Sequence, residues 1–168
     1  EQSIENKGHY TVYLPSYDDR RLIAKLSQFR DVNWEVFSKH NHKPFKSKNV
    51  SIQPIHNEKF IMSMAQSEGV LCGAGFETPA EALFMKKKLL VIPMKNQYEQ
   101  QLNAAALKEM GVPVIKNLKD KYDMVINQWL GSKKIIEVHY PDITQQIIDQ
   151  IINKHYSLPL IKYLRNSG

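Results

Sequence analysis

The sequence has a single cysteine, Cys72, among its 168 residues. One thiol cannot form an intramolecular disulfide, and it leaves a thiolate zinc site without ligands. Glycine (7) and proline (8) are too few for a collagenous or low-complexity chain. No stretch approaches the ~20 apolar residues of a membrane span, and the polar start of the chain is not typical of a signal peptide. These absences favour a soluble globular domain, which we expect in the cytoplasm and, at most, at the periphery of a membrane.

Positive charge is in modest excess, with 23 lysines and arginines against 17 acidic residues and a formal net charge of +6. Such a balance suits nucleic acid, an anionic membrane surface or a small anionic ligand. The densest basic run, Lys86–Lys88, lies between two apolar segments and predicts a solvated turn. The other lysines are dispersed and form no stripe interleaved with aromatics. We therefore expect no nucleic-acid partner, and weak attraction to an anionic membrane surface stays open.

Short apolar runs alternate along the chain with longer stretches of helical period. The predicted strands are Tyr10–Leu14, Asn33–Phe37, Val50–Pro54, Gly69–Cys72, Leu89–Ile92 and Val112–Ile115. The predicted helices run from Asp18 to Phe29, from an Asn57 N-cap to Ala65, and over Pro79–Phe84, Glu99–Met110, Tyr122–Leu130 and Ile143–His155. A polar loop is predicted from Ser38 to Lys48, and Gly111 is placed where a helix-ending glycine is expected.

Strands of four to six residues that alternate with helices predict βαβ units and a parallel sheet. The Gly69–Cys72 and Leu89–Ile92 runs are continuously apolar, as expected for strands covered on both faces. The sequence therefore predicts an α/β fold. We expect a doubly wound, Rossmann-like sheet of six parallel strands, helices on both faces, and extra helices at the C-terminal end. We expect residues 1–168 to form a single domain.

The most informative loop follows the fourth predicted strand and reads Cys-Gly-Ala-Gly-Phe-Glu-Thr-Pro-Ala-Glu over residues 72–81. In an open α/β sheet, ligands bind beyond the carboxyl ends of the strands. Small residues at 73–75 let a ligand approach the backbone, and the following helix presents unpaired N–H groups and the positive end of its dipole. This combination suits a phosphate. It is not a Walker loop, and it lacks the third glycine of a dinucleotide fingerprint.

A longer series continues from this loop: Gly75, Thr78, Glu81, an apolar strand ending in Pro93, and then Glu-Gln-x-x-Asn over residues 99–103. The series resembles the donor half of GT-B glycosyltransferases. The likeness is strongest to the UDP-glucuronosyltransferase-like enzymes and to the lipid-linked GlcNAc transferase of peptidoglycan synthesis. It is carried by residues 70–110, and the alternation of strands and helices extends it over 10–155.

The resemblance implies that residues 8–156 form the domain that binds a nucleotide sugar. The substrate would be a UDP-sugar, with no cofactor and no metal ion, and the transfer would be to an acceptor of unknown identity. The chain begins at Glu1 rather than Met, and we expect it to lack an N-terminal acceptor domain and to be inactive alone.

The residues that the resemblance assigns to the nucleotide-sugar site are Ser16, Ile55, Gly73, Gly75, Phe76, Glu77, Thr78, Glu81, Glu99, Gln100 and Asn103. It implies that Glu81 holds the two ribose hydroxyls, for which a carboxylate with two acceptor oxygens is suited. Backbone N–H groups of 75–77 and the Thr78 hydroxyl would contact the diphosphate.

Further roles follow from position in the same pattern. Glu99 and Gln100 would face the sugar hydroxyls, Ser16 would be a second phosphate contact, and Ile55 would read the base edge through its backbone. Many relatives carry a histidine where this chain has Gly73. The diphosphate would then depend on backbone amides, helped by a lysine such as Lys95.

The other candidate site residues have weaker support in the sequence. His40 and His42 have metal-like spacing but no carboxylate or cysteine nearby in sequence. Cys72 is expected to be a buried small hydrophobe rather than a nucleophile, because no histidine or lysine beside it would lower its pKa. Three alternative functions stay open: a UDP-sugar 2-epimerase-like enzyme, a non-catalytic nucleotide-binding module, and a nucleic-acid-binding domain suggested by the charge.

Overall fold

A computed structural model of the chain describes residues 5–139, 145–146 and 148–150. The chain divides into two compact units, Glu1–Glu137 and Val138–Gly168, and the fold described below is that of the first. Most of the predicted helix Ile143–His155 lies outside the described residues. Among the residues that are described, no helix has the length and apolar character needed to cross a membrane.

The first unit contains six strands and five helices within the described range. The strands are β1 (His9–Tyr13), β2 (Asn33–Ser38), β3 (Phe45–Ser47), β4 (Val50–Pro54), β5 (Gly69–Gly73) and β6 (Lys88–Ile92). The helices are α1 (Asp19–Leu26), α2 (Asn57–Gln66), α3 (Glu77–Phe84), α4 (Tyr98–Glu109) and α5 (Asp123–Gly131), the last preceded by a short 3₁₀ turn over Asp120–Tyr122.

The strands form one sheet in the order β3-β4-β2-β1-β5-β6, parallel except for β3, which runs antiparallel to β4. From β1 the chain moves outward to β2 and β4, and it then crosses back through α2 to β5 on the other side of β1. The predicted doubly wound α/β fold is confirmed. The order reverses between β1 and β5, and the carboxyl ends of these two strands are where a ligand crevice is expected.

The membership of the sheet differs from the prediction at both edges. β3 falls inside the predicted polar loop, and it is only three residues long with Phe45 and Lys46 exposed, so the sequence offers little apolar signal there. The predicted strand Val112–Ile115 is wrong, because only Val114 forms a bridge, to Val91 of β6. Pro113 has no N–H to donate, and it contributes its carbonyl alone, to the amide of Val91 at 3.2 Å.

The sheet has two chemically different faces in its β4-β2-β1 half. Alternate side chains of these strands are apolar and buried, and they pack in one core with α1 and α5; they are Tyr10, Val12, Trp34, Val36, Val50 and Ile52. The intervening residues include Thr11, Glu35 and Ser51, which lie on the opposite face. In β5 and β6, by contrast, Val70–Cys72 and Leu89–Ile92 are buried throughout. These two strands are covered on both faces, as predicted.

Helix ends follow local chemistry. Asp18 caps α1 by accepting from the Arg21 amide at 2.9 Å. The prediction that Asn57 caps α2 is wrong, because Asn57 is the first helical residue and His56 occupies the cap without a side-chain bond. Gly111 ends α4 as predicted, with a φ of +92°.

The prediction that Lys86–Lys88 form a solvated turn is wrong for two of the three side chains. Lys86 is exposed, but the ammonium of Lys87 donates to the Ser67 carbonyl at 2.9 Å and that of Lys88 to the Leu130 carbonyl at 3.0 Å. Both acceptors lie at the carboxyl ends of helices, where carbonyls lack intrahelical partners and the dipole favours a cation. This basic run therefore ties helices to the sheet.

Candidate functional site

The loops after β1 and β5 start side by side at the carboxyl edge of the sheet. Tyr13 pairs with Cys72 in the β1–β5 register, so Leu14 and Gly73 follow as neighbours. The loop after β1 leads through Ser16 into α1, and the loop after β5 leads directly into α3. This edge is where the topology places a ligand.

The turn between β5 and α3 is open to a ligand. A Cβ added to Gly75 would meet no atom within 4 Å, and Ala74 behind it is fully buried. Phe76 is the N-cap of α3 and cannot accept a hydrogen bond from the helix with its side chain. Pro79 has no N–H, so the unpaired donors of the first turn are the amides of Phe76, Glu77 and Thr78. The sequence resemblance assigned the diphosphate to the amides of 75–77 and to the Thr78 hydroxyl, so the amides of Phe76 and Glu77 are common to both sets.

Glu81 lies one helical turn beyond Thr78, and the two side chains share a face of α3. Its carboxylate makes no hydrogen bond or ion pair in the part of the chain that is described, and the residue is partly exposed. α3 begins at Glu77, so Glu81 is in the second turn, where the helix dipole contributes little to a carboxylate. A structural partner for this carboxylate is therefore lacking among the described residues.

Two polar residues of α4 brace the turn. The Asn103 side-chain amide donates to the Ala74 carbonyl at 3.2 Å. The Gln100 side-chain oxygen accepts from the Met94 amide at 3.0 Å, and it would lie 3.6 Å from a Cβ on Gly73. The two side chains thus hold the β5–α3 turn and the loop after β6 against the start of α4. The sequence did not reveal this bracing, because it depends on distances between residues that are far apart in the chain.

The remaining predicted residues are spread along the edge. Glu99 is exposed in the first turn of α4, and Ser16 is exposed beside a cavity of about 900 Å³ that Lys95 also lines. Ile55 follows β4, three strand positions from β5, which is about 14 Å at the usual ~4.8 Å strand spacing. The Ile55 amide donates to the Ser38 carbonyl at 3.3 Å. A ligand that touches both Ile55 and the β5–α3 turn must therefore lie across β2 and β1.

Cys72 is fully buried in β5, and burial raises the pKa of its thiol, as expected for a structural cysteine. His40 and His42 lie in the loop between β2 and β3. Over the described ranges, no three His, Cys, Asp or Glu side chains are grouped so that they could hold a metal ion.

A buried polar cluster between α2 and the second face of the sheet is not evident from the sequence. The Ser63 hydroxyl of α2 donates to a Glu35 carboxylate oxygen at 2.6 Å, and the His9 Nε2 atom lies 3.0 Å from the Ser63 oxygen and 3.3 Å from Glu35. Thr11 contacts Ser63 at 2.7 Å. The hydrogen bond from His9, together with that from Ser63, holds the pKa of the Glu35 carboxyl below its usual range against the opposing effect of burial. The alternation of polar and apolar residues in β2 is the sequence signal that could have indicated it.

This cluster is not a hydrolytic triad. In a triad the carboxylate and the hydroxyl contact opposite ring nitrogens of the histidine, so that one orients the ring while the other reacts. Here Glu35 and Ser63 approach the same nitrogen of His9. The geometry favours a structural tie between β1, β2 and α2.

The model of a protein family described as "Glycosyl transferase family 1" matches residues 2–132. No curated protein matches the chain. The resemblance to glycosyltransferases inferred from the motif is thus confirmed at the level of the family.

Solved structures with the same fold include several glycosyltransferases. The spinosyn forosaminyltransferase SpnP is 14% identical with a TM-score of 0.55, over 75% of this chain and 36% of its own. SnogD from Streptomyces nogalater is 11% identical with a TM-score of 0.57, over 78% and 36%. ALG13 is 12% identical with a TM-score of 0.57, over 88% of this chain and 98% of its own. The fold is that of a GT-B glycosyltransferase domain, and the chain spans about a third of the length of the first two enzymes.

Proposed function

The chain belongs to glycosyl transferase family 1, and we propose that it binds the nucleotide-sugar donor, a UDP-sugar, in a glycosyl transfer reaction. The observation that carries the proposal is the β5–α3 turn. It combines open space at Gly75 with three unpaired amides, at Phe76, Glu77 and Thr78. Open space next to backbone donors at a helix N-terminus is suited to the oxygens of a phosphate.

In this proposal the diphosphate and the ribose of the donor bind to different groups at the start of α3. The amides of 76–78 and the α3 dipole bind the diphosphate and stabilise the negative charge that grows on it as the glycosidic bond breaks. Glu81 accepts hydrogen bonds from the 2′- and 3′-hydroxyls of the ribose, and its lack of a partner among the described residues supports this role. The chemistry relies on backbone donors rather than on a metal ion.

We propose that side chains at the start of α4 bind the sugar of the donor. Gln100 already bonds to the Met94 amide and, at 2.7 Å, to the Gln97 side chain, so we propose that it contacts the sugar through remaining hydrogen-bonding capacity. Glu99 is free of such bonds in the described part of the chain and is exposed beside it. We propose that Ser16, after β1, contacts the phosphate. We propose that Ile55, after β4, contacts the nucleobase through its backbone.

We propose further that the acceptor binds outside this domain. The side chain that deprotonates the acceptor hydroxyl then also lies outside this domain. The chain alone would then bind a donor without transferring its sugar. Calorimetric titration with UDP, GDP and dTDP tests whether the chain binds a nucleotide. The same experiment identifies which nucleobase it prefers. We expect UDP to bind most tightly, and equal, negligible heats for all three nucleotides would contradict the donor site.

A further inference from the structure

The carboxyl edge of the sheet also carries a cavity lined by basic side chains. The cavity of about 900 Å³ noted beside Ser16 lies between the loop after β1, the loop after β6 and residues 116–117. Arg21, Lys95 and Lys116 line it, and no aspartate or glutamate does. None of these three cations forms an ion pair in the described part of the chain. The cavity therefore collects positive charge that no carboxylate compensates.

The rest of the lining suits an oxyanion. Arg21 lies 5.3 Å from the centre of the Tyr17 ring, an arrangement that orients the guanidinium by a cation–π contact. Asn96 and Asn117 add neutral groups with N–H donors. Cations together with amide donors form charge-assisted hydrogen bonds with phosphate or carboxylate oxygens.

This cavity is separate from the β5–α3 turn. Ser16 and the supporting Lys95 line it, whereas Gly75 and Thr78 of the turn do not. The diphosphate proposed to bind at the turn has backbone donors of its own at 76–78. Lys95 can support that diphosphate, and the charge at Arg21 and Lys116 is left for a different group.

We infer that the cavity is a second anion subsite, which takes a phosphate or carboxylate group other than the donor diphosphate. This inference rests on the proposed donor function, because a bound donor would bring the reacting groups to this edge. The anionic group can belong to a phosphorylated acceptor or to a carboxylated donor sugar. In either case the recognised chemistry is an oxyanion within reach of Arg21 and Lys116.

Inorganic pyrophosphate is the probe that tests the subsite, titrated into the full chain with UDP already present at saturation. We expect pyrophosphate to bind beside UDP. Lys116→Gln should weaken this binding about 3- to 10-fold, which corresponds to ~0.7–1.4 kcal/mol, and should change UDP affinity less than twofold. Lys119→Gln is the matched control, an exposed lysine three residues away that does not line the cavity, and it should change neither.

Two results would overturn the subsite: pyrophosphate competing with UDP for one site, or equal pyrophosphate affinity in the parent and Lys116→Gln. If UDP fails to bind at all, the donor proposal fails, yet the pyrophosphate comparison still reports on the cavity. Titration with UDP-glucuronate and UDP-glucose then identifies the source of the anion. A loss in Lys116→Gln confined to UDP-glucuronate assigns it to the donor sugar, and unchanged affinity for both assigns it to the acceptor.

Discussion

The side-chain amide of Asn103 donates to the carbonyl of Ala74 at 3.2 Å and so ties the first half of α4 to the turn that precedes α3. Ala74 is fully buried, and the residue after it faces open space. The bond therefore fixes the backbone on the inner side of the turn while the outer side stays accessible. Such support lets a loop bind a ligand without first being ordered.

Removing this tie should weaken both the fold and nucleotide binding. Asn103→Ala and Asn103→Asp each lack the donor, and we expect each to lower the free energy of unfolding by about 0.5–1.5 kcal/mol and to reduce UDP affinity. Chemical denaturation and calorimetry measure the two effects. Asn127→Ala, an exposed asparagine on α5, is the control and should change neither. Full UDP affinity in Asn103→Asp would mean that the bond does not support the site.

The open space at Gly75 predicts a variant that folds but does not bind. A Cβ at Gly75 has no neighbouring atom within 4 Å, and the Gly75 backbone is outside the left-handed region, so Gly75→Val should melt near the parent temperature. The branched side chain occupies the position proposed for the diphosphate, so UDP binding should be lost. Gly131→Val is the matched control, because a Cβ at Gly131 also meets nothing within 4 Å, but at the end of α5. If Gly75→Val binds UDP as the parent does, the turn is not the phosphate site.

The cluster of His9, Ser63 and Glu35 predicts an acid-dependent contribution to stability. The pKa of Glu35 is lowered in the folded chain, so its carboxylate stabilises the fold above the usual value of 4.5, and this contribution is lost as pH falls through the folded pKa. The difference in unfolding free energy between the parent and Glu35→Gln should therefore be largest above pH 4.5 and should shrink below it.

Denaturation of both proteins at a series of pH values measures that difference. Glu109→Gln, an exposed glutamate at the end of α4, serves as the control and should show no such trend. A difference for Glu35→Gln that is the same at every pH would show that His9 and Ser63 do not favour the charged carboxylate.

Features set by local chemistry were predictable from the sequence. The end of α4 is one case. The Gly111 amide bonds to the Lys108 carbonyl and the Val112 amide to the Leu107 carbonyl, both at 2.9 Å, in a pattern that needs a left-handed residue at 111. The continuous apolar runs of β5 and β6 likewise predicted strands that are covered on both faces. Successive side chains of a strand point to opposite faces of the sheet, so a run without polar residues indicates that both faces are buried.

Features set by distant contacts were not predictable. β3 pairs with β4 although Lys46 and Phe45 are exposed, so its pairing depends on a neighbour rather than on its own pattern. The sequence pattern places Gln100 at a sugar, whereas its bond to the Met94 amide depends on the contact between α4 and the loop after β6. The contacts of Lys87 and Lys88 are unpredictable for the same reason, since their acceptors lie 20 and 42 residues away.

UDP titration of Glu81 variants measures whether this carboxylate binds the ribose of the donor. A carboxylate that accepts from both ribose hydroxyls should contribute about 1.5–3 kcal/mol, so Glu81→Ala should lose about ten- to hundred-fold in UDP affinity at ~1.4 kcal/mol per decade. Glu81→Gln keeps the shape and one acceptor oxygen and should lose less.

Melting of the same proteins without ligand separates binding from packing. Both variants should melt near the parent temperature, because Glu81 has no partner in the described part of the chain. Glu109→Ala, which replaces an exposed glutamate of α4, is the control for both measurements. If Glu81 binds the ribose, Glu81→Ala loses UDP affinity strongly while its melting temperature is unchanged. If Glu81→Ala binds UDP as tightly as the parent does, Glu81 does not bind the ribose.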